Sequence, residues 1–90
     1  LYGLISQINR AAISVMSNIA EGSARTSRKD QAHFSQLAYS SLMEVICQLQ
    51  LAQELNLFGQ EQYETIRTQI CRLAARINAL RYSQLKAMEL

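Results

Sequence analysis

The sequence predicts an all-helical protein. Three observations carry this: there is no proline, there are only three glycines, and apolar residues recur at three- and four-residue spacings along three long stretches. Hydrophobic residues make up 49% of the ninety, which argues against disorder, and a β-rich domain of this size needs more turn residues than these. A chain of this length suits one domain, here residues 1–90.

The first helix is expected over residues 2–21. Leu1, Ile5, Ile8, Ala12, Val15 and Ile19 fall on one face. Gly22 stands where a helix ends on a left-handed residue, so it reads as a C-terminal cap. The second helix is expected over 27–55. Ser27 is placed as its N-cap, with Asp30 near the positive end of the helix dipole. Its seam is Phe34, Ala38, Leu42, Val45, Leu49 and Ala52, and its length is about 44 Å at 1.5 Å per residue. The third helix is expected over 60–87. Gly59 serves as its N-cap, and Phe58 and Tyr63 are spaced as a hydrophobic staple. Tyr63, Ile66, Ile70, Leu73, Ile77 and Leu80 form a heptad-type seam that runs out near Lys86 to Met88.

Short loops join the three, which predicts antiparallel neighbours in an up-down bundle. The middle helix carries a second stripe, Tyr39, Met43 and Ile46, rotated from the first. A helix apolar over so wide an arc needs cover from more than one side, by another helix of the chain or by another subunit. These three residues are therefore the candidate oligomer interface.

Charge is mildly positive, net +2. The predicted topology sorts it: Arg25, Arg28, Lys29, Arg81 and Lys86 gather at one end, offset by Glu21, Asp30 and Glu89. The opposite end holds Glu54, Glu61 and Glu64 against Arg67, and Arg10, Arg72, Arg76 and Glu44 lie between. Cationic side chains beside a helix N-terminus suit phosphate. Arg25, Arg28 and Lys29 are the primary candidates for nucleic-acid contact, with Arg10, Arg81 and Lys86 secondary. Asn18, Glu21, Gly22 and Ser27 read as the structural corner, Glu21 pairing with Arg25 or Arg28 and Asn18 reaching the loop backbone. The competing account is a solvated loop whose charges are incidental.

Catalytic chemistry has little support. The glutamates and serines are isolated from any histidine, "EGSAR" has too few glycines to cradle a pyrophosphate, and no metal or cofactor is expected. Cys47 and Cys71 match no metal spacing, lie off the seams and are expected as free thiols in a cytoplasmic protein. No apolar run approaches the ~20 residues of a membrane span.

The stretch "INRAAISVMSNIAEGSARTSRKDQAHFSQLAYSSLMEV" resembles the signature of the bacterial 23S rRNA intervening-sequence proteins. Arg10, Ala11, Ala12, Ser14, Val15, Asn18, Ile19, Ala20, Glu21 and Gly22 meet its first part. Arg25, Ser27, Arg28, Lys29 and Asp30 meet the second, and Phe34, Ala38, Ser41, Leu42 and Glu44 the third. Met16, Ser40 and Gly59 depart from it, standing where proline, glycine and serine are common. The resemblance implies a four-helix bundle whose first helix precedes Leu1, so that the three helices here are its second to fourth. It also implies assembly as a homopentamer. A related group serves as the accessory protein of diversity-generating retroelements, which implies RNA or DNA and a protein such as a reverse transcriptase as partners. The expected function is a non-enzymatic, oligomeric bundle that binds RNA or DNA through its basic end. The alternative is an oligomeric protein-interaction scaffold with no nucleic-acid contact.

Overall fold

The computed structural model of the chain describes residues 2–87. Leu1 at the head of the first seam, Met88 at the end of the third helix and Glu89 at the basic end lie outside the described residues, as does Leu90. Three helices, α1 (Tyr2–Ala24), α2 (Arg28–Glu54) and α3 (Gln60–Ala87), account for nearly all of it, and among the described residues there is no strand. No helix there is long and apolar enough to cross a membrane.

The helix ends follow from local chemistry. Ser27 has extended backbone (φ −82°, ψ 132°) and its hydroxyl accepts from the Asp30 N–H, so it caps α2. At the other end Asn56 takes φ 60°, and the Leu57 N–H reaches the Ala52 carbonyl at 3.1 Å while the Asn56 N–H reaches that of Gln53 at 2.9 Å. That pair of bonds is a Schellman closure with asparagine in the place usually held by glycine. Before α3, the Gln62 side chain accepts from the Gly59 N–H at 3.1 Å, and the rings of Phe58 and Tyr63 lie 6.4 Å apart as the staple spacing predicts.

Gly22 is not the cap that the sequence suggested. The helix runs through it to Ala24, and no glycine among the described residues has positive φ. It is buried instead, because a Cβ there would lie 3.1 Å from the Phe34 Cβ and 3.6 Å from the Gln31 carbonyl oxygen. Glycine lets α1 and α2 approach closely where they diverge into the corner.

α2 occupies the middle. It packs against both α1 and α3, which do not approach each other's backbone. Rising positions on one helix meet falling positions on the next: Gly22 faces Phe34, Ser14 bonds Ser41, and Leu4 and Ile8 share a hollow with Ala52. On the other flank Ser35 bonds Gln84. The central cluster is Val15, Ala38, Leu42, Ala74 and Ile77, with Tyr39, Met43 and Ile70 packed against it.

The seams are rotated from those the spacing alone suggested. On α1 the buried row is Ala11, Val15 and Gly22, and Ile5, Ala12 and Ile19 are exposed. On α3 it is Tyr63, Ala74, Ile77 and Gln84, and Ile66, Leu73 and Leu80 are exposed. Phe34 and Leu49 of α2 are half-buried. Each outer helix has an apolar arc wider than one contact, and periodicity marks the middle of the arc rather than the part that α2 covers. α2 thus leaves these apolar residues of α1 and α3 uncovered.

Candidate nucleic-acid interface

The corner between α1 and α2 is tied down by four interactions, and Arg25 takes part in all of them. Its N–H bonds the Gly22 carbonyl at 3.2 Å, and its own carbonyl accepts from the Gln31 amide at 2.8 Å. Its guanidinium pairs with Glu21 at 3.0 Å and lies over the Phe34 ring, 4.8 Å from the centroid. Among the described residues this is the one ion pair. Of the two partners the sequence offered Glu21, the structure selects Arg25. A primary candidate for ligand contact is thus engaged by the corner it belongs to.

Arg28 is exposed and reaches the Gln31 side chain at 3.2 Å. Lys29 is exposed, two residues past the cap. The N–H groups of Arg28 and Lys29, at the first two helical positions, have no intrahelical acceptor, and both residues are exposed. α3 returns to this end, as the 2.7 Å bond from the Ser35 hydroxyl to the Gln84 side chain shows. That return places the exposed Lys86 and the half-buried Arg81 beside the start of α2. The Arg81 Nε is buried without a hydrogen-bond partner, and the buried side of its guanidinium is turned inward. Asp30 in the first turn of α2 subtracts one charge from the group.

Arg10 is not part of this end. It lies fourteen residues before Ala24 on α1, about 21 Å along the axis, and lines a hollow of about 380 Å³ with Gln7, Ala11, Ser14 and Glu44. Asn18 does not reach the loop either. Its amide turns back one helical turn to the Ser14 carbonyl at 2.8 Å and the Ser14 hydroxyl at 3.1 Å, and Ser14 in turn bonds Ser41. Asn18 therefore stiffens the α1–α2 contact rather than the corner itself. Tyr39, Met43 and Ile46 are half-buried, the first two against the chain's own core.

Sequence reasoning did not foresee Gln31 and Gln84. Gln31 anchors the corner from α2, and Gln84 carries a buried hydrogen bond at the end of a cavity of about 300 Å³ shared with Ile19, Gly22, Ile77 and Leu80. Both are polar residues on otherwise apolar faces, a signal that was present and unused. Cys47 and Cys71 are free and exposed. Among the described residues no three His, Cys, Asp or Glu side chains gather to hold a metal ion.

What the arrangement can do is electrostatic. Two exposed cations and two open backbone N–H groups at the start of α2, with Lys86 beside them, present donors to an anionic backbone without reading its sequence. A family model described as 23S rRNA-intervening sequence protein matches residues 1–79. No curated protein matches the chain.

Proposed function

The chain belongs to the 23S rRNA-intervening sequence protein family, and from that premise we propose that it is a non-enzymatic helical protein that binds RNA or DNA through phosphate contacts at the start of α2. The observation that carries this reading is the division of labour among the corner cations. Arg25 is consumed by Glu21 and Phe34, whereas Arg28 and Lys29 stand exposed beside free N–H groups, with Lys86 at the same end. Specificity is low in this reading, because phosphate contacts carry no sequence information.

The same proposal takes the three helices as an antiparallel, up-down set and adds a fourth from the segment before Leu1. Its support is the arrangement of the helices: consecutive helices pair rising against falling positions, and the backbones of α1 and α3 do not come close. On these two helices Ile5, Ile19, Ile66, Leu73 and Leu80, each between 37% and 47% exposed, are left without cover. A fourth helix lying there would complete the square of a bundle. We further propose a cytoplasmic homo-oligomer. Five as its number, Tyr39, Met43 and Ile46 as its interface, and a protein partner such as a reverse transcriptase extend the family resemblance and the sequence pattern. The half-exposed rows also favour the second reading, an interaction scaffold whose charges are incidental.

The test is fluorescence anisotropy of the full-length protein with labelled single- and double-stranded RNA and DNA over a salt series. The comparison variant carries Arg28→Gln, Lys29→Gln and Lys86→Gln. Binding that weakens with salt, with a log–log slope reduced by roughly 3 in the variant on duplex, is the expected result. Absence of binding at low salt removes the nucleic-acid reading and leaves the scaffold.

A further inference from the structure

The cavity of about 300 Å³ at the basic end is built by all three helices. Ile19, Ile77 and Leu80 give it aliphatic walls, and its polar groups are few. Two of them, Ser35 and Gln84, are 6% and 7% exposed. The Ser35 hydroxyl donates to the amide oxygen of Gln84. That bond fixes the amide plane and leaves its NH2 group without an acceptor among the described residues. Buried donors are almost always paired, so this one calls for an acceptor from elsewhere. Ser23, exposed at the rim, donates its proton to the Ile19 carbonyl at 2.9 Å and keeps its lone pairs. The cavity thus offers one donor and one acceptor between aliphatic surfaces, at the small end of ligand-pocket volumes.

We propose that this cavity receives one unpaired base of a bound RNA or DNA strand, its edge hydrogen-bonded by Gln84 and its faces against Ile19, Ile77 and Leu80. The cavity adjoins the phosphate contacts proposed above. Gln31 lines it and accepts from the Arg28 guanidinium at 3.2 Å. Ser35 lies seven residues beyond Arg28 on the same face of α2, two turns or about 11 Å. A phosphate at Arg28 therefore puts the base of the same or the next nucleotide within reach of Gln84. The inference rests on the phosphate-binding reading and narrows its ligand to strands that can release a base: single-stranded, looped or bulged. One donor and one acceptor fit an edge of any base, so the cavity reads strandedness rather than sequence. Ser23 and Gln31 stand next to the corner, so the cavity stays open at the end of the bundle when a fourth helix covers Ile19 and Leu80 from the side.

The experiment is fluorescence anisotropy of the full-length protein with labelled duplexes, as RNA and as DNA. One duplex carries a single bulged pyrimidine, and the other carries an abasic residue at the same bulge. The two have the same phosphates, so only the base separates them. The bulged pyrimidine should bind roughly tenfold more tightly, as one hydrogen-bonded, buried contact predicts. Ser35→Ala combined with Gln84→Leu removes the donor and its support together and should bring the ratio close to unity. Ser23→Leu should do the same by filling the rim. It changes an exposed residue, so it carries the test if circular dichroism shows the buried pair of substitutions to unfold the protein. Equal affinity of the wild-type protein for the two duplexes overturns the proposal, and salt-dependent binding to both then keeps the phosphate reading and leaves the cavity to side chains of the fourth helix. A preference that survives Ser23→Leu and the double substitution places the base elsewhere and also overturns it. Absence of binding to either duplex at low salt removes the phosphate reading and this inference with it.

Discussion

Replacing Arg25 by glutamine should cost stability more than nucleic-acid affinity, and replacing Lys29 should do the reverse. Arg25 loses two interactions. The ion pair with Glu21 is 3.0 Å long, but its side chains are 44% and 55% exposed, so solvent screening holds it to about 0.2–1 kcal/mol. The guanidinium over Phe34, 4.8 Å from the ring centre, adds about 0.5–1 kcal/mol. Together they come to about 0.7–2 kcal/mol, a fall in Tm of roughly 3–16 °C for a domain of this size. Lys29 makes no such contacts, and a surface change of this kind stays within about 0.5 kcal/mol. On duplex, Lys29→Gln should lower the salt slope by about 0.9. Arg25→Gln should lower it by clearly less, since its charge is already partnered. The assays are thermal melts by circular dichroism at low and high salt, beside anisotropy on the same proteins. Arg25→Lys provides a graded check, keeping the charge and losing the planar stack. The reasoning is refuted if Arg25→Gln leaves Tm unchanged while reducing the slope as fully as Lys29→Gln.

Two further outcomes concern the frame that holds this end. Ser35 and Gln84 are 6% and 7% exposed and joined by a 2.7 Å bond. Ser35→Ala should therefore destabilise by about 1–3 kcal/mol through the stranded amide, and adding Gln84→Leu should recover much of that loss in a double-mutant melt. At the other end, Asn56→Gly should leave stability equal or raise it, and Asn56→Ala should lower it by about 1 kcal/mol, because φ 60° suits glycine and not alanine. Urea midpoints of the two variants separate these outcomes.

The three helices were legible in the sequence to within a few residues, because their periodicity is strong and Ser27, Phe58 and Tyr63 announce two of the ends. The close of α1 was misplaced. A glycine after an apolar run reads as a cap, whereas Gly22 is needed for its missing Cβ against Phe34. That demand comes from a residue twelve positions away on another helix, so no local pattern displays it. The seams of the outer helices were right in part, with Val15, Tyr63 and Ile77 buried, and missed in the same way elsewhere. Ile5, Ile19, Leu73 and Leu80 are spaced like core, and only the placement of α2 decides which side of each arc is closed. At the candidate site the charges were visible and their division was not. Arg25, Arg28 and Lys29 look alike in sequence, and the Phe34 ring and Glu21 carboxylate single out the first. The stripe Tyr39, Met43 and Ile46 was read as an apolar face in need of further cover, and two of its three residues, Tyr39 and Met43, pack against the chain's own core.

Because the backbones of α1 and α3 each lie close to α2 and not to one another, the fold is assembled from two hairpins that share a spine. Close backbone contacts join only helices that are consecutive in the chain, while side chains of α1 and α3 share one cluster, so most of the packing forms between sequence neighbours and folding should be fast. The same wiring sets the order in which the described helices come apart. Either outer helix can peel away while the other stays docked, so the amides of α2 should exchange last with solvent. A tug on α1 is passed to α3 chiefly through α2.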